Sequence, residues 1–392
     1  MFDQNNKIVL RIMTVIVFFS CLIVFMIFST HRPFWADEYN TAAAVMDNDY
    51  TTFLLGTKKD DANNFPLYYM LSKIAVSSSE SSVVYERSLK EGPVYVGVQF
   101  RIIAILSMAF IISILFYYFS VNFSPILGFY SVILAVITHP TWLYLEARVY
   151  PFVMFLTTVQ ILTGIELLRK GYDLKLWRNL TILNVLLSLT YGFSMSYILG
   201  LSFLLWLFVE KDLRKYILMT LIPLLICCFY YWQYSFPVKF GAFFFGSPFS
   251  DLLLANFNKE RWLIFIVSFL IWGYLIMKKK EVRNDLAEQR LIEQAKPFVY
   301  VVFMVVAVSL GLLLMMRFWH GGPDPSLTLP MQFRYIIFLT PVSIIAMTYF
   351  TQFLFNIYSK NQWFRIIFLI CLIFILIYRG YTTYSRVIGL VS

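Results

Sequence analysis

Apolar runs of membrane-crossing length recur along almost the whole chain, and no other feature limits its fold as strongly. They lie at roughly 8–29, 102–120, 124–138, 150–168, 179–192, 193–209, 216–235, 261–277, 298–316, 334–354 and 364–380, about eleven in all. About 20 apolar residues of helix cross the hydrocarbon of a bilayer. The expected fold is therefore all-α, a polytopic transmembrane helical bundle of about eleven spans. Little separates the runs 179–192 and 193–209, so the span count is least defined there.

Composition closes the soluble alternative. Hydrophobic residues make up 60% of the 392 and charged residues 14%, against about 25% charged in soluble domains. The net charge of +10 would suit nucleic acid, but the basic residues cluster in short stretches between apolar runs. That pattern belongs to cytoplasmic loops, and no nucleic-acid partner is expected. Cys21, Cys227, Cys228 and Cys371 lie within apolar stretches and lack ligand spacing, so they read as small buried hydrophobes. The first run, about 22 residues, exceeds a signal-peptide core of about 7–15. It reads as a retained helix.

The distribution of Lys and Arg sets the sidedness. With the N-terminus in the cytoplasm, the basic loops 169–178, 210–215, 278–296 and 356–365 all face inward. Segments 30–100, 139–149, 236–260, 317–333 and the C-terminal tail then face outward. The loop 278–296 reads as a solvated connector anchored at the lipid headgroups. Segment 30–100 is too polar to span and long enough to be functional. It is expected to carry short amphipathic helices on the membrane surface.

Several polar residues fall on the outer side. Asp37 and Glu38 are adjacent acids just beyond the first run, flanked by Trp35 and Tyr39. Either acid could take a proton from an acceptor hydroxyl or amine; a solvated or helix-capping acid is the plainer local reading. Pro66 opens the aromatic segment with Tyr68 and Tyr69, which alone signals a helix start. Glu146 and Arg148 stand between two apolar runs with no polar linker, where charge is costly and points to function. Arg148 could hold a phosphate, or the two could form a structural pair. Arg101 and Arg334 each open an apolar run and could instead be snorkelling side chains. His320 lies in a Gly–Gly–Pro turn region, and its spacing from His31 and His139 shows no metal site.

Absences narrow the chemistry. The chain has no Walker A loop, Rossmann fingerprint, HExxH or GxSxG. Charged residues are nearly absent from the centres of the runs, which argues against an ion-coupled transporter.

In order, these pieces resemble the GT-C superfamily of membrane glycosyltransferases. The similarity is to the branch of protein O-mannosyltransferases, bacterial aminoarabinose transferases and related lipopolysaccharide glycosyltransferases of the cell envelope. The shared elements are Asp37–Glu38, Pro66–Leu67–Tyr68–Tyr69, Arg101, Glu146–Ala147–Arg148–Val149–Tyr150, and Arg334–Tyr335 with Pro341. The strong part covers roughly 8–170; the rest matches by helix pattern and the Arg334 run. The chain departs from the family where Asn64 replaces a histidine and where a Thr-His-Tyr element is reduced to Thr190–Tyr191. These departures bear on the acceptor more than on the reaction class.

The resemblance implies a division into a catalytic module, 1–170, and a variable transmembrane module, 171–392. It implies a sugar donor on a polyprenyl phosphate such as undecaprenyl phosphate, drawn from the membrane lipid. The acceptor would be a glycan, lipid or protein, met at the outer face of a bacterial inner membrane. Asp37 would be the general base, beside Glu38, and transfer would invert the anomeric carbon. Arg148, with Glu146 and with Arg101 or Arg334, would bind the donor phosphate. Tyr68, Tyr69 and Tyr150 would line the substrate site, with Asn64 and His320 as further candidates. The branch implies no cofactor and no catalytic metal. The competing reading is a non-catalytic polyprenyl-lipid or polysaccharide flippase, which would place its polar residues along a central cavity.

Overall fold

The computed structural model describes residues 4–30, 36–55, 66–76, 96–137, 145–170, 173–191, 194–208, 214–226, 228–229, 296–304, 340–358, 373 and 377. Among these the chain is all-helical and no strand occurs. The helices are α1 (Gln4–Thr30), α2 (Ala36–Asp47), α3 (Tyr50–Leu55), α4 (Pro66–Val76), α5 (Val96–Asn122), α6 (Pro125–Ile137), α7 (Tyr150–Lys170), α8 (Leu174–Ser188), α9 (Ser194–Phe208), α10 (Lys215–Leu221) and α11 (Thr340–Tyr358). Residues 296–304 are also helical.

Three stretches are long and apolar enough to cross a membrane: Lys7–Ser29, Val98–Asn122 and Tyr150–Lys170. They coincide with three of the apolar runs. Pro125–Val136, Tyr197–Leu207 and Lys215–Ile226 are shorter apolar helices. Among the remaining runs, 261–277 lies outside the described residues, and 298–316, 334–354 and 364–380 are described only in part.

Helix α5 is the hub. It packs against α1, α4, α6 and α7; α7 in turn holds α8, α9 and α11. The main core draws on residues from Phe25 to Phe353, so stretches on both sides of residue 170 share it. Buried neutral polar groups cross-link the helices. Gln160 Nε2 donates to Asn184 Oδ1 at 2.7 Å, Asn184 Nδ2 donates to the Thr220 carbonyl at 2.9 Å, and the Ser202 and Thr220 hydroxyls pair at 3.0 Å. Such bonds satisfy polar groups that hydrocarbon would leave unpaired.

The weakly separated runs 179–192 and 193–209 are two helices of 15 residues each, α8 and α9. Helix α8 starts at Asp173, whose carboxylate accepts from the Lys175 and Leu176 amides, an N-cap of the ordinary kind. It ends at a turn through Leu189–Tyr191, where the Leu189 carbonyl accepts the Leu67 amide of α4 at 2.8 Å. A helix start has orphan N–H groups and a helix end has orphan carbonyls. Each end here supplies the other's missing partner.

The segment between α1 and α5 carries α2, α3 and α4. A second, smaller core joins them: Ala42, Ala44, Val45, Phe53, Tyr69, Val76, Phe100 and Ala147. This layer lies directly against the candidate site.

Candidate functional site

The site is organised by one buried carboxylate. Glu38 sits in the first turn of α2, where acids favour helix formation. It is fully buried, as is Arg101 in the second turn of α5. Arg101 Nε and Nη2 donate to Glu38 Oε1 and Oε2, both at 2.8 Å. This is the fork geometry that makes arginine–carboxylate pairs strong. Arg101 Nη1 donates to the Ser29 carbonyl at 2.9 Å, at the end of α1. Glu38 Oε1 also accepts the Ala147 amide at 2.7 Å, in the turn before α7. One ion pair therefore fastens the end of α1 and the start of α2 to α5 and to the turn before α7.

Arg148 follows Ala147 directly and is 6% exposed. Its Nη1 donates to Thr41 Oγ1 at 3.0 Å. Thr41 lies three residues after Glu38, so both project from one face of α2. The Arg148 guanidinium also stands 5.7 Å from the centre of the Tyr150 ring, within cation–π range. Tyr150 meets Tyr191 edge to face at 6.0 Å. Glu146 is buried, and its carbonyl accepts the Arg148 amide at 2.6 Å, which tightens the turn.

An aromatic layer supports this cluster. Tyr68 and Tyr69 are fully buried and meet edge to face at 6.0 Å. Tyr69 stacks on Phe53 at 5.3 Å. Lys73 Nζ donates to the Val45 carbonyl at 2.9 Å and ties α4 to α2.

The structure thus joins Glu38, Arg101, Arg148 and Tyr150, and puts Asp37 in the first turn of α2 beside them. Glu146 occupies the same turn as Arg148. Arg101 is engaged by Glu38 and Ser29, and Glu38 by Arg101 and Ala147. Thr41 and Ser29 were not foreseen from sequence, and Ala147 stood there only as part of the Glu146–Tyr150 motif, with no role for its amide. Thr41 is separated from Arg148 by 107 positions, and nothing local marks it as that arginine's partner. Asn64, His320 and Arg334 lie outside the described residues. Among the described residues no group of three or more His, Cys, Asp or Glu could hold a metal ion.

Compared with models of known protein families and with curated proteins, the chain matches none.

Proposed function

We propose that the chain is a GT-C-type polytopic membrane glycosyltransferase of a bacterial inner membrane, with about eleven spans. It would transfer a sugar from a polyprenyl phosphate to a glycan, lipid or protein acceptor at the outer face. The observation that carries this reading is the bond from the Ala147 amide to Glu38. Asp37 precedes Glu38 and Arg148 follows Ala147, so a base and a phosphate-binding cation sit on adjoining positions of one clamp.

In this mechanism the Asp37 carboxylate takes the proton of the acceptor O–H or N–H. The freed lone pair attacks the anomeric carbon from the face opposite the leaving group. The bond from that carbon to the phosphate oxygen breaks, and the polyprenyl phosphate departs with the electron pair. Arg148, oriented by Thr41 and Tyr150, binds the phosphate as its charge grows. Oriented charge in a poorly hydrated site is worth far more than in water. Glu38 and Arg101 act as positioning residues that hold Asp37 and Arg148 in register.

The test is sugar transfer by the purified chain from undecaprenyl-phosphate sugars. Asp37→Asn should lower kcat roughly 10²–10⁴-fold with the protein still folded. Arg148→Ala should cut kcat/KM roughly 10²–10³-fold and weaken donor binding. Undiminished turnover in Asp37→Asn would remove the base; unchanged donor affinity in Arg148→Ala would remove the phosphate role.

A further inference from the structure

In the half of the molecule away from the Glu38 clamp, α1, α5 and α7, with Leu176 of α8, line an apolar groove of about 570 Å³ that starts near mid-helix. That volume is typical of a ligand site. Its walls include Val15 and Phe18 of α1, Phe110 and Ile114 of α5, and Leu162 and Thr163 of α7. Helix α1 contributes only one face, since just 11% of its apolar window is buried, against 67% and 72% for the other two long helices. The groove is therefore open to whatever surrounds the bundle.

The two outer walls end in basic side chains. On α1, Lys7 and Arg11 continue the stripe of Val15 and Phe18 at helical spacing, and both are exposed. On α7, Arg169 and Lys170 lie one turn beyond the groove-lining Glu166. Their side chains are 40% and 58% exposed. Glu166 takes part of that charge: its Oε1 meets Arg169 at 2.8 Å and its Oε2 meets Lys170 at 3.2 Å. Its Oε1 also accepts from the Tyr118 hydroxyl at 3.2 Å. Four basic groups against one acid leave a rim of net charge +3.

We infer that this groove binds one anionic phospholipid, with its acyl chain between α1 and α7 and its phosphate at the basic rim. Charge complementarity selects the occupant. A hydrocarbon chain alone gains nothing from the rim, whereas a lipid phosphate meets Lys7, Arg11, Arg169 and Lys170 at headgroup depth. Basic pockets between helices are known to recognise anionic headgroups in this way. The site is separate from the Glu38 clamp and does not depend on the transferase reading.

The test is native mass spectrometry of the purified full chain in micelles. The protein is titrated with phosphatidylglycerol and, separately, with phosphatidylcholine of the same acyl chains. The wild type should retain one phosphatidylglycerol with a preference of about tenfold, in keeping with several basic groups near one headgroup. Neutralising the rim with Lys7→Gln, Arg11→Gln, Arg169→Gln and Lys170→Gln should bring the preference towards one. Arg178→Gln, on the same side but off the groove walls, should leave it unchanged. Thr163→Trp, which fills the groove, should reduce retention of both lipids. Equal retention of the two lipids by the wild type, which needs no variant, would overturn the inference. So would a preference that survives the fourfold change.

Discussion

At Glu38 and Arg101 two opposite charges are withdrawn completely from solvent, and their hydrogen bonds determine what loss of either one does. Removing one partner strands a buried charge, at a cost of about 3–5 kcal/mol. Glu38→Leu and Arg101→Met should therefore each destabilise the protein strongly. The double variant should be much less destabilised than the sum, because no charge is left unpaired. It still removes the acceptor of the Ala147 amide and the donor to the Ser29 carbonyl, each worth about 1–3 kcal/mol when orphaned. Thermal unfolding in detergent measures the cycle, and strictly additive effects would contradict the coupling. The adjacency of Asp37 and Glu38 was plain in the sequence, but the buried surroundings of Glu38 were not. Glu38 meets its arginine across 63 positions and its amide across 109. Pairing over such distances comes from tertiary packing, which no local pattern encodes.

Among the helices, the approach of α5 and α6 depends on one absent side chain. A Cβ on Gly128 would stand 2.7 Å from the Phe116 carbonyl oxygen and would also strike Ser120 Oγ. Backbone cannot yield as a flexible side chain can. Gly128→Ala should cost about 1–3 kcal/mol as an overpacked site, read as a lower unfolding temperature. Adding Ser120→Ala should recover only part of that loss. The short helix α3 depends instead on a charge. The Thr52 amide donates to Asp49 Oδ1 at 2.6 Å, an N-cap contact, and the Thr52 hydrogen bonds hold the Asp49 carboxyl below its ordinary value. A depressed folded-state value gives stability that is present above the unfolded value and lost as pH falls through the folded one. Pepsin cleavage within α3 should thus increase in the wild type relative to Asp49→Asn as the pH drops from about 5 to 3, since asparagine caps without titrating. A constant ratio would contradict this. The three long helices were well announced by apolar runs, because hydrophobic length is a local property. The α8–α9 break was announced only weakly, by the thin separation of the runs 179–192 and 193–209; the Leu67 amide that meets the Leu189 carbonyl there comes from another part of the chain.

Over the whole molecule, hydrogen bonds at opposite ends fix the directions of the three long helices. At one end Arg101, near the start of α5, reaches the end of α1, and Ala147, just before α7, reaches the start of α2. At the other end Arg169, in the last turn of α7, donates to Asn122 at the end of α5 at 2.7 Å. Helices α5 and α7 are therefore parallel, and α1 runs against both. The candidate site lies at one end, and the basic side chains of α1 and α7 lie at the other. This is the separation that the distribution of Lys and Arg suggests, where basic residues mark the cytoplasmic side. The arrangement predicts a definite labelling pattern. In a background lacking Cys21, Cys227, Cys228 and Cys371, Thr51→Cys tests the site end, and Lys170→Cys tests the basic end. A membrane-impermeant maleimide applied to intact cells should modify the Thr51→Cys protein. The Lys170→Cys protein should react only after the membrane is permeabilised. The reverse pattern would put the site in the cytoplasm, away from an outer-face donor. Labelling of both from one side would contradict a membrane crossing between the two ends.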